Sequence, residues 1–189
     1  MGSTRGDSAA VPHGEERLRA EVVRAALAAF TGLRDARPDA DLCGYALYSD
    51  ADAMTVCCAA NTRRHLDRLT AEDPADADYY EWTPAEWAVE GVAAEEFASI
   101  CRCLRDARES VGEAESTRFR DTVYEACVAA LESLVADGAF GPGADHVVVF
   151  AVSDPDDDDP ERETGWIRRL NPPERADRFA RWRAASAEQ

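Results

Sequence analysis

The feature that most constrains this fold is a short apolar run late in the chain. Residues 147–152 read Val-Val-Val-Phe-Ala-Val, with glycine and proline at 141–143 before the run and Asp154-Pro155 after it. An unbroken apolar run between turn residues is typical of a strand whose two faces are both covered. We therefore predict a central strand in a sheet that is packed by helices.

Other segments carry apolar residues at helical spacing. In residues 14–36, for example, Leu18, Val22 and Ala26 fall on one stripe with arginines off it, which is the pattern of an amphipathic helix. Proline or glycine follows each of the first three segments, at Pro38, Gly112 and Gly138, and marks its end. We predict long helices over residues 14–36, about 93–108 and about 116–136, and a final helix over residues 173–185.

The remaining short elements are predicted from turn and capping residues. Residues 42–48 and 54–60 favour a hairpin, and Asn61 or Thr62 can cap a short helix after it. The aromatic segment 79–82 predicts a third strand. Residues 83–86 (Thr-Pro-Ala-Glu) combine a capping box with proline at the first helical position, which predicts a helix whose first turns contain Trp87.

Together these elements favour an α+β fold: one small, mostly antiparallel sheet of about three to five strands, packed by three or more amphipathic helices. The length of 189 residues suits a single domain, which we predict over residues 14–185 after a disordered leader at residues 1–13. No apolar run approaches membrane-spanning length and the first residues lack a signal-peptide pattern, so we expect a cytoplasmic protein.

The net charge of −17 is concentrated in two segments. Residues 71–100 contain nine carboxylates and no basic residue, and residues 153–163 contain seven carboxylates against Arg162 alone. Such charge repels nucleic acid and anionic lipid, and it attracts a basic protein or a cation. We expect a basic protein as partner, and no direct binding to nucleic acid or membrane. The alternative is an acidic surface that serves solubility alone.

The sequence contains no strong catalytic motif. It lacks a phosphate-binding glycine loop, a Gly-x-Ser-x-Gly elbow, a His-Glu-x-x-His helix and a Cys-x-x-Cys pair, although a triad assembled in space stays open. The six cysteines lie in apolar segments, which predicts reduced and mostly buried thiols. Cys101 and Cys103 point away from each other on a helix and cannot share a zinc ion. We expect no cofactor and no metal-binding cysteine cluster.

Asp154 begins an acidic run that directly follows the predicted strand. Carboxylates on a loop are the ligands that Ca²⁺ and Mg²⁺ prefer, but the run lacks the spacing of an EF-hand. A solvated surface loop is the other interpretation.

Trp82 and Trp87 form the most distinctive cluster, together with Glu86 and Glu90. Two indoles at this spacing can fill a core and pair their N–H groups with nearby carboxylates. The same cluster can anchor an interface, because tryptophan is enriched in binding hot spots and the acids would steer a basic partner. The candidate binding residues are therefore Trp82, Glu86, Trp87, Glu90, Asp50 and Asp154.

Four stretches form an ordered set of motifs: residues 44–50 (Gly-Tyr-Ala-Leu-Tyr-Ser-Asp), 82–90 (Trp-Thr-Pro-Ala-Glu-Trp-Ala-Val-Glu), 149–154 (Val-Phe-Ala-Val-Ser-Asp) and 170–172 (Leu-Asn-Pro). With this set the chain resembles the domain-of-unknown-function 4303 family over about residues 18–182. The Trp-x-Pro-x-Glu-Trp element is the most specific of the four. The resemblance implies a compact α/β domain of bacterial origin, and it carries no catalytic residue over.

The sequence leaves three functions open, of which we favour the first. In the first, the chain is a non-catalytic acidic module that binds another protein. It would be immunity-like, by analogy with small acidic domains that neutralise toxins. Alternatively, it is a carboxylate-based metal-dependent enzyme, in which case the candidate carboxylates must converge in one pocket. The third alternative is a structural or regulatory domain.

Overall fold

The computed structural model describes residues 14–141, 146–153 and 159–186. In these ranges it shows the expected α+β fold, with seven α-helices and one sheet of four strands. None of the helices described is long and apolar enough to cross a membrane. In chain order the elements are α1 (Glu15–Ala36), β1 (Leu42–Asp50), β2 (Val56–Thr62), α2 (Arg63–Glu72), α3 (Ala77–Trp82), β3 (Val89–Glu90), α4 (Ala94–Ser110), α5 (Glu113–Ala136), β4 (Val147–Ser153), α6 (Pro160–Leu170) and α7 (Pro173–Ser186).

The sheet has the strand order β3-β2-β1-β4. The hairpin β1–β2 and the pair β2–β3 are antiparallel, whereas β4 lies parallel to β1. The sheet is therefore mixed, and mostly antiparallel as predicted. The apolar run does form a strand, but its predicted central position is wrong, because β4 is at an edge. An unbroken apolar run requires cover on both faces, and it does not require a strand on both sides.

Helix α6 lies where a further strand would otherwise pair with β4. Its Trp166 and Leu170 pack into the core on one face of the sheet, and Ile167 packs into the core on the other. Asn171 then donates to the carbonyl of Val148 at 2.7 Å and accepts from its N–H at 2.9 Å. This side chain copies the hydrogen bonds of a neighbouring strand, and so α6 and Asn171 together protect the sheet edge.

Each face of the sheet has its own core. The first core lies between the sheet and helices α1, α4 and α5, and it includes Phe30, Tyr45, Phe97, Leu131 and Phe150. The second core is smaller and lies between the sheet and helices α3 and α7. Its buried members are Ala46, Ala59, Trp82, Trp87, Val147, Val149, Ile167, Ala176 and Phe179.

Two predictions between residues 79 and 87 are wrong. The segment predicted as a third strand is helical and belongs to α3; the third strand is β3 instead. Residues Pro84–Glu86 form a single 3₁₀ turn, the Thr83 side chain makes no capping hydrogen bond, and Trp87 is extended rather than helical. Capping residues favour a helix start, but the burial of Trp87 in the second core requires extended backbone there.

Other boundaries agree more closely with the predictions. Thr62 caps α2 by accepting from the backbone N–H of His65 at 3.3 Å, as one of the two expected caps. Helix α6 is not among the predicted helices, because its first turn lies in the acidic segment that the sequence predicts to be a loop. The predicted leader at residues 1–13 and the candidate Asp154 lie outside the described residues.

Candidate functional site

Trp82, at the end of α3, is a packing residue of the second core. Its side chain is only 3% exposed. Its ring meets Phe179 of α7 edge to face, with 5.2 Å between centroids, and the guanidinium of Arg178 lies 5.9 Å from the ring centre. The ring therefore joins α7 to the sheet.

Trp87 packs on the opposite side of the same core, against strand β1. It is 5% exposed, and its ring covers Gly44. A Cβ atom at position 44 would lie 3.0 Å from Cη2 of Trp87 and 3.1 Å from Cβ of Asn61. A Cβ atom here would require the indole or Asn61 to shift by a few tenths of an ångström. Two of the four family-like stretches meet at this contact.

The indole N–H groups of Trp82 and Trp87 have an unusual environment. Both nitrogens are buried, and neither has a hydrogen-bond acceptor among the described residues. The expected pairing of these groups with nearby carboxylates is therefore wrong. A buried donor without an acceptor costs about 1–3 kcal/mol, and native proteins contain few of them. Two buried N–H groups without acceptors in one small core are therefore unusual.

Glu86 lies at the surface beside α3, half-buried. Its carboxylate accepts a hydrogen bond from the Tyr79 hydroxyl at 3.1 Å, and its backbone carbonyl lies 2.9 Å from Nε2 of His65. These contacts fix the 3₁₀ turn against α2 and α3. Glu86 accepts from Tyr79 and from neither indole N–H, and so it belongs to a different surface.

That surface combines two tyrosines with four acids, and we call it the tyrosine–acid surface. Tyr79 is 38% exposed, and its ring meets that of Tyr80 at 5.6 Å between centroids. Partial desolvation raises the pKa of the Tyr80 phenol, and nearby carboxylates raise it further. The members of the surface are Tyr79, Tyr80, Glu72, Asp73, Asp76 and Glu86.

Sequence reasoning missed the two tyrosines because it treated their segment as a strand. Neighbouring residues point to opposite faces of a strand, whereas on a helix they are only about 100° apart. In α3, Tyr79 is therefore exposed and Tyr80 beside it is half-buried, while Trp82 turns to the core. The closely spaced acids around the two tyrosines were the feature of the sequence that could have indicated this surface.

Arginines from elsewhere in the chain neutralise part of the acidic segment at residues 71–100. Arg178 of α7 pairs with Asp78 at 3.0 Å and also with Glu81, which Arg175 contacts at 3.1 Å. Arg68 pairs with Glu72 at 2.9 Å. At least three of the nine carboxylates are thus in ion pairs, among them Glu72 of the tyrosine–acid surface, and the segment is less acidic than its sequence suggests.

Asp50 stabilises the turn between β1 and β2. Its Oδ1 accepts from the backbone N–H groups of Asp52 at 3.0 Å and Met54 at 3.1 Å. Its Oδ2 accepts from the Thr55 hydroxyl. Because both oxygens already bind groups of the turn, this candidate has a structural role.

Glu90, on the two-residue strand β3, lies on the same side of the sheet as Tyr48 and Cys57. Burial, with the nearby Cys57 and Glu90, raises the pKa of Tyr48 well above its ordinary value. Burial also raises the pKa of the Cys57 thiol. Both groups therefore stay protonated near neutral pH, and the thiol is a poor nucleophile.

The three candidate carboxylates among the described residues have different hydrogen-bond partners and neighbours. Asp50 closes a turn, Glu86 contacts Tyr79 and Glu90 lies beside Tyr48. In the described parts of the chain, no three His, Cys, Asp or Glu side chains are grouped so that they could hold a metal ion. Asp154 lies outside those parts.

A groove of about 220 Å³ lies beside Trp82. Its walls are the turn after α3, strand β4 and helices α6 and α7. Phe179 and Trp182 contribute two aromatic rings with 5.6 Å between centroids, and Glu163 pairs with Arg183 at 2.7 Å along the same groove. We call it the Trp82 groove.

The comparisons with known proteins identify a family and no characterised relative. A family model described as a domain of unknown function, DUF4303, matches residues 22–172. No curated protein and no solved structure gives a significant match to the chain.

Proposed function

The chain belongs to the DUF4303 family, and we propose that it is a non-catalytic module that binds a basic protein through its tyrosine–acid surface. The observation that carries this proposal is the exposed Tyr79, whose ring meets that of the half-buried Tyr80 and whose hydroxyl donates to Glu86, with further carboxylates nearby. The proposal takes the chain to be a bacterial cytoplasmic protein whose residues 14–185 form one domain.

The chemistry of the surface supports a basic partner. Exposed tyrosines offer a large, rigid contact area at low cost in side-chain entropy, and they are enriched in binding hot spots. Carboxylates next to them attract arginine and lysine over long distances and speed association. Arginine side chains also stack on tyrosine rings, so the two features favour the same partner.

The charge of the surface also limits which partners are compatible. A nucleic acid or an anionic membrane would be repelled. A basic, nucleic-acid-directed toxin has suitable chemistry, and in that case the chain would act as its immunity-like inhibitor; this step is by analogy with other small acidic domains. No specific observation favours the metal-dependent enzyme, since among the described residues no three His, Cys, Asp or Glu side chains are grouped so that they could hold a metal ion.

The proposal is tested by isolating a partner from the native host and measuring its affinity. The bait is the full chain, and the retained protein is eluted by raising the salt concentration from about 0.1 to about 1 M, which shortens the Debye length from about 10 to about 3 Å. We expect one basic protein. Tyr79→Ala should weaken its binding by about tenfold or more, as for other hot-spot residues.

Two double variants with equal changes in charge distinguish an effect of this surface from an effect of the overall net charge. Asp76→Asn/Glu86→Gln and Asp106→Asn/Glu109→Gln both remove two negative charges, but the second pair lies on the exposed side of α4. We expect only the first pair to slow association, by about fivefold or more at low salt. Equal effects of the two pairs, or the absence of a basic partner, would contradict the proposal.

A further inference from the structure

The tyrosine–acid surface has the chemistry to select one type of basic side chain. We propose that it binds one arginine of its partner, whose guanidinium lies against the ring of Tyr79 or Tyr80 and pairs with the carboxylate of Asp76. This inference rests on the proposed function, because it specifies which side chain the basic partner presents to the surface.

The opposite side of α3 already holds an arginine of the chain in this way. Arg178 pairs with Asp78 at 3.0 Å, and its guanidinium carbon lies 5.9 Å from the ring centre of Trp82. Asp78 and Trp82 are four residues apart, so their side chains are neighbours on the helix surface. An aspartate followed one helical turn later by an aromatic residue therefore binds an arginine in this protein.

Helix α5 provides a second example, with Arg162. The Nη1 atom of Arg162 lies 3.5 Å from the carboxylate of Asp121. Its guanidinium carbon lies 5.9 Å from the ring centre of Tyr124 and 5.2 Å from that of Trp166. Asp121 and Tyr124 are three residues apart, which is the other spacing at which side chains on a helix are neighbours. Both helical spacings of an aspartate and an aromatic residue thus hold an arginine.

Asp76 has a tyrosine at each of these two spacings. It directly precedes α3, and Tyr79 and Tyr80 follow three and four residues later. Desolvation raises the pKa of both phenols, and the negative charge of Asp76 raises it further. Asp78 lies two residues after Asp76, about 200° further around the helix axis. The arrangement that binds Arg178 on one side of α3 is therefore repeated on the other side.

This repeated arrangement contains no arginine from the described parts of the chain. Asp76 is exposed, makes no capping hydrogen bond and is in no ion pair with a described residue. No described guanidinium lies over the ring of Tyr79 or Tyr80. Arg68, at the edge of the surface, is paired with Glu72 at 2.9 Å. The carboxylate of Asp76 is therefore available to a partner.

The same arrangement favours arginine over lysine. A guanidinium is planar, so it can lie flat on a tyrosine ring while it donates two parallel hydrogen bonds to a carboxylate. A lysine ammonium is a compact and strongly hydrated point charge, which does not match both groups at once. The long-range attraction to the acids is equal for the two side chains. A preference for arginine at equal charge therefore reports the contact itself.

The test compares two probes of equal charge, the N-acetylated and amidated tripeptides of arginine and of lysine. Each probe is added to the full chain at low salt, and the backbone amide signals of residues 76–80 are followed in a ¹H–¹⁵N spectrum. We expect the arginine tripeptide to bind about threefold more tightly than the lysine tripeptide, which is the size of effect that an exposed cation–π contact provides.

Two aspartate variants with the same change in charge distinguish this site from general attraction. Asp76→Asn removes the carboxylate of the site, and because Asp76 makes no capping hydrogen bond, the variant should leave α3 intact. Asp106→Asn removes an exposed carboxylate of α4 that has no aromatic residue three or four positions later. We expect Asp76→Asn to lower the preference for arginine towards one, and Asp106→Asn to leave it unchanged.

A third variant tests the rings. Tyr79→Leu/Tyr80→Leu keeps apolar side chains and removes both aromatic faces, so it should weaken binding of the arginine tripeptide and leave binding of the lysine tripeptide unchanged. The dispersion of the spectrum shows whether each variant is folded, and Asp76→Asn tests the site independently if the double variant is not.

Three results would overturn the arginine site: equal binding of the two tripeptides to the wild-type chain, equal effects of Asp76→Asn and Asp106→Asn, or a preference that persists in a folded chain without the two rings. If a basic protein from the host binds at this surface and arginine is not preferred, the proposed function stands and the arginine site is wrong. If arginine is preferred as expected and the host yields no basic partner, the arginine site stands and the proposed function is wrong.

Discussion

The contact between Gly44 and Trp87 makes a quantitative prediction for Gly44→Ala. The new Cβ would lie 3.0 Å from Cη2 and 3.2 Å from Cζ2 of Trp87, and 3.1 Å from Cβ of Asn61. Carbon atoms in good contact are about 3.5–4.0 Å apart. Trp87 is 5% and Asn61 1% exposed, so neither side chain can move aside into solvent.

The expected effect is a loss of stability despite a favourable change in the unfolded state. Overpacking a core costs about 1–3 kcal/mol, and replacing glycine by alanine recovers about 0.4–1 kcal/mol by restricting the unfolded chain. The net cost at Gly44 is therefore up to about 2.6 kcal/mol, and for a chain of this size it lowers Tm by up to about 10 °C. Urea and thermal unfolding followed by circular dichroism measure both quantities.

Two comparisons make the result decisive. Gly32→Ala, on the exposed side of α1, has no atom within 4 Å of the new Cβ and should stabilise the protein by up to about 1 kcal/mol. Trp87→Phe removes the crowding ring atoms, so in that background Gly44→Ala should cost at least about 0.5 kcal/mol less. The packing argument is refuted if Gly44→Ala and Gly32→Ala change stability in the same direction. It is also refuted if Gly44→Ala costs as much in the Trp87→Phe background as in the wild-type protein.

Three further predictions concern the sheet edge and the response to pH. Asn171→Ala leaves the N–H and carbonyl of Val148 without partners at a buried edge, so it should cost about 2–4 kcal/mol and speed hydrogen exchange of the Val148 amide. The pKa of Glu132 is lowered, and the largest cause is the hydrogen bond that its carboxylate accepts from Arg169. A lowered carboxyl pKa stabilises the fold above the unfolded pKa, so urea titrations should show that this contribution is lost as the pH falls below about 4.5 and is absent in Glu132→Gln. Burial raises the pKa of Cys58 to about 12 from an ordinary 9.0, so stability should fall as the pH rises from about 9 towards 12, and less steeply in Cys58→Ala.

Much of the local structure follows from neighbouring residues in the sequence. Periodic apolar residues predict helices α1, α4, α5 and α7, because the stripe that a helix buries is set by its 3.6-residue repeat. The hairpin β1–β2 and the cap at Thr62 are likewise local. The predicted strand at residues 79–82 was wrong because a segment of four aromatic and polar residues suits either structure, and packing against α7 decides between them.

The candidate site depended much more on tertiary structure. Sequence indicated that residues 71–100 are acidic and that Trp82 and Trp87 are unusual. It did not indicate that both indoles are buried with unpaired N–H groups, because burial depends on the distant Gly44 and Phe179. Nor did it indicate that Arg178 neutralises two acids roughly a hundred residues earlier.

The apolar run at residues 147–152 shows the same division between what the sequence and the tertiary structure determine. Its composition alone determines that both faces of β4 are covered, because apolar side chains are more stable in the core than in water. Its place at the edge, parallel to β1 and shielded by α6 and Asn171, is a property of the whole fold. Hydrogen bonding between strands is made by backbone groups that every residue carries, so side-chain patterns determine burial and the tertiary structure determines neighbours.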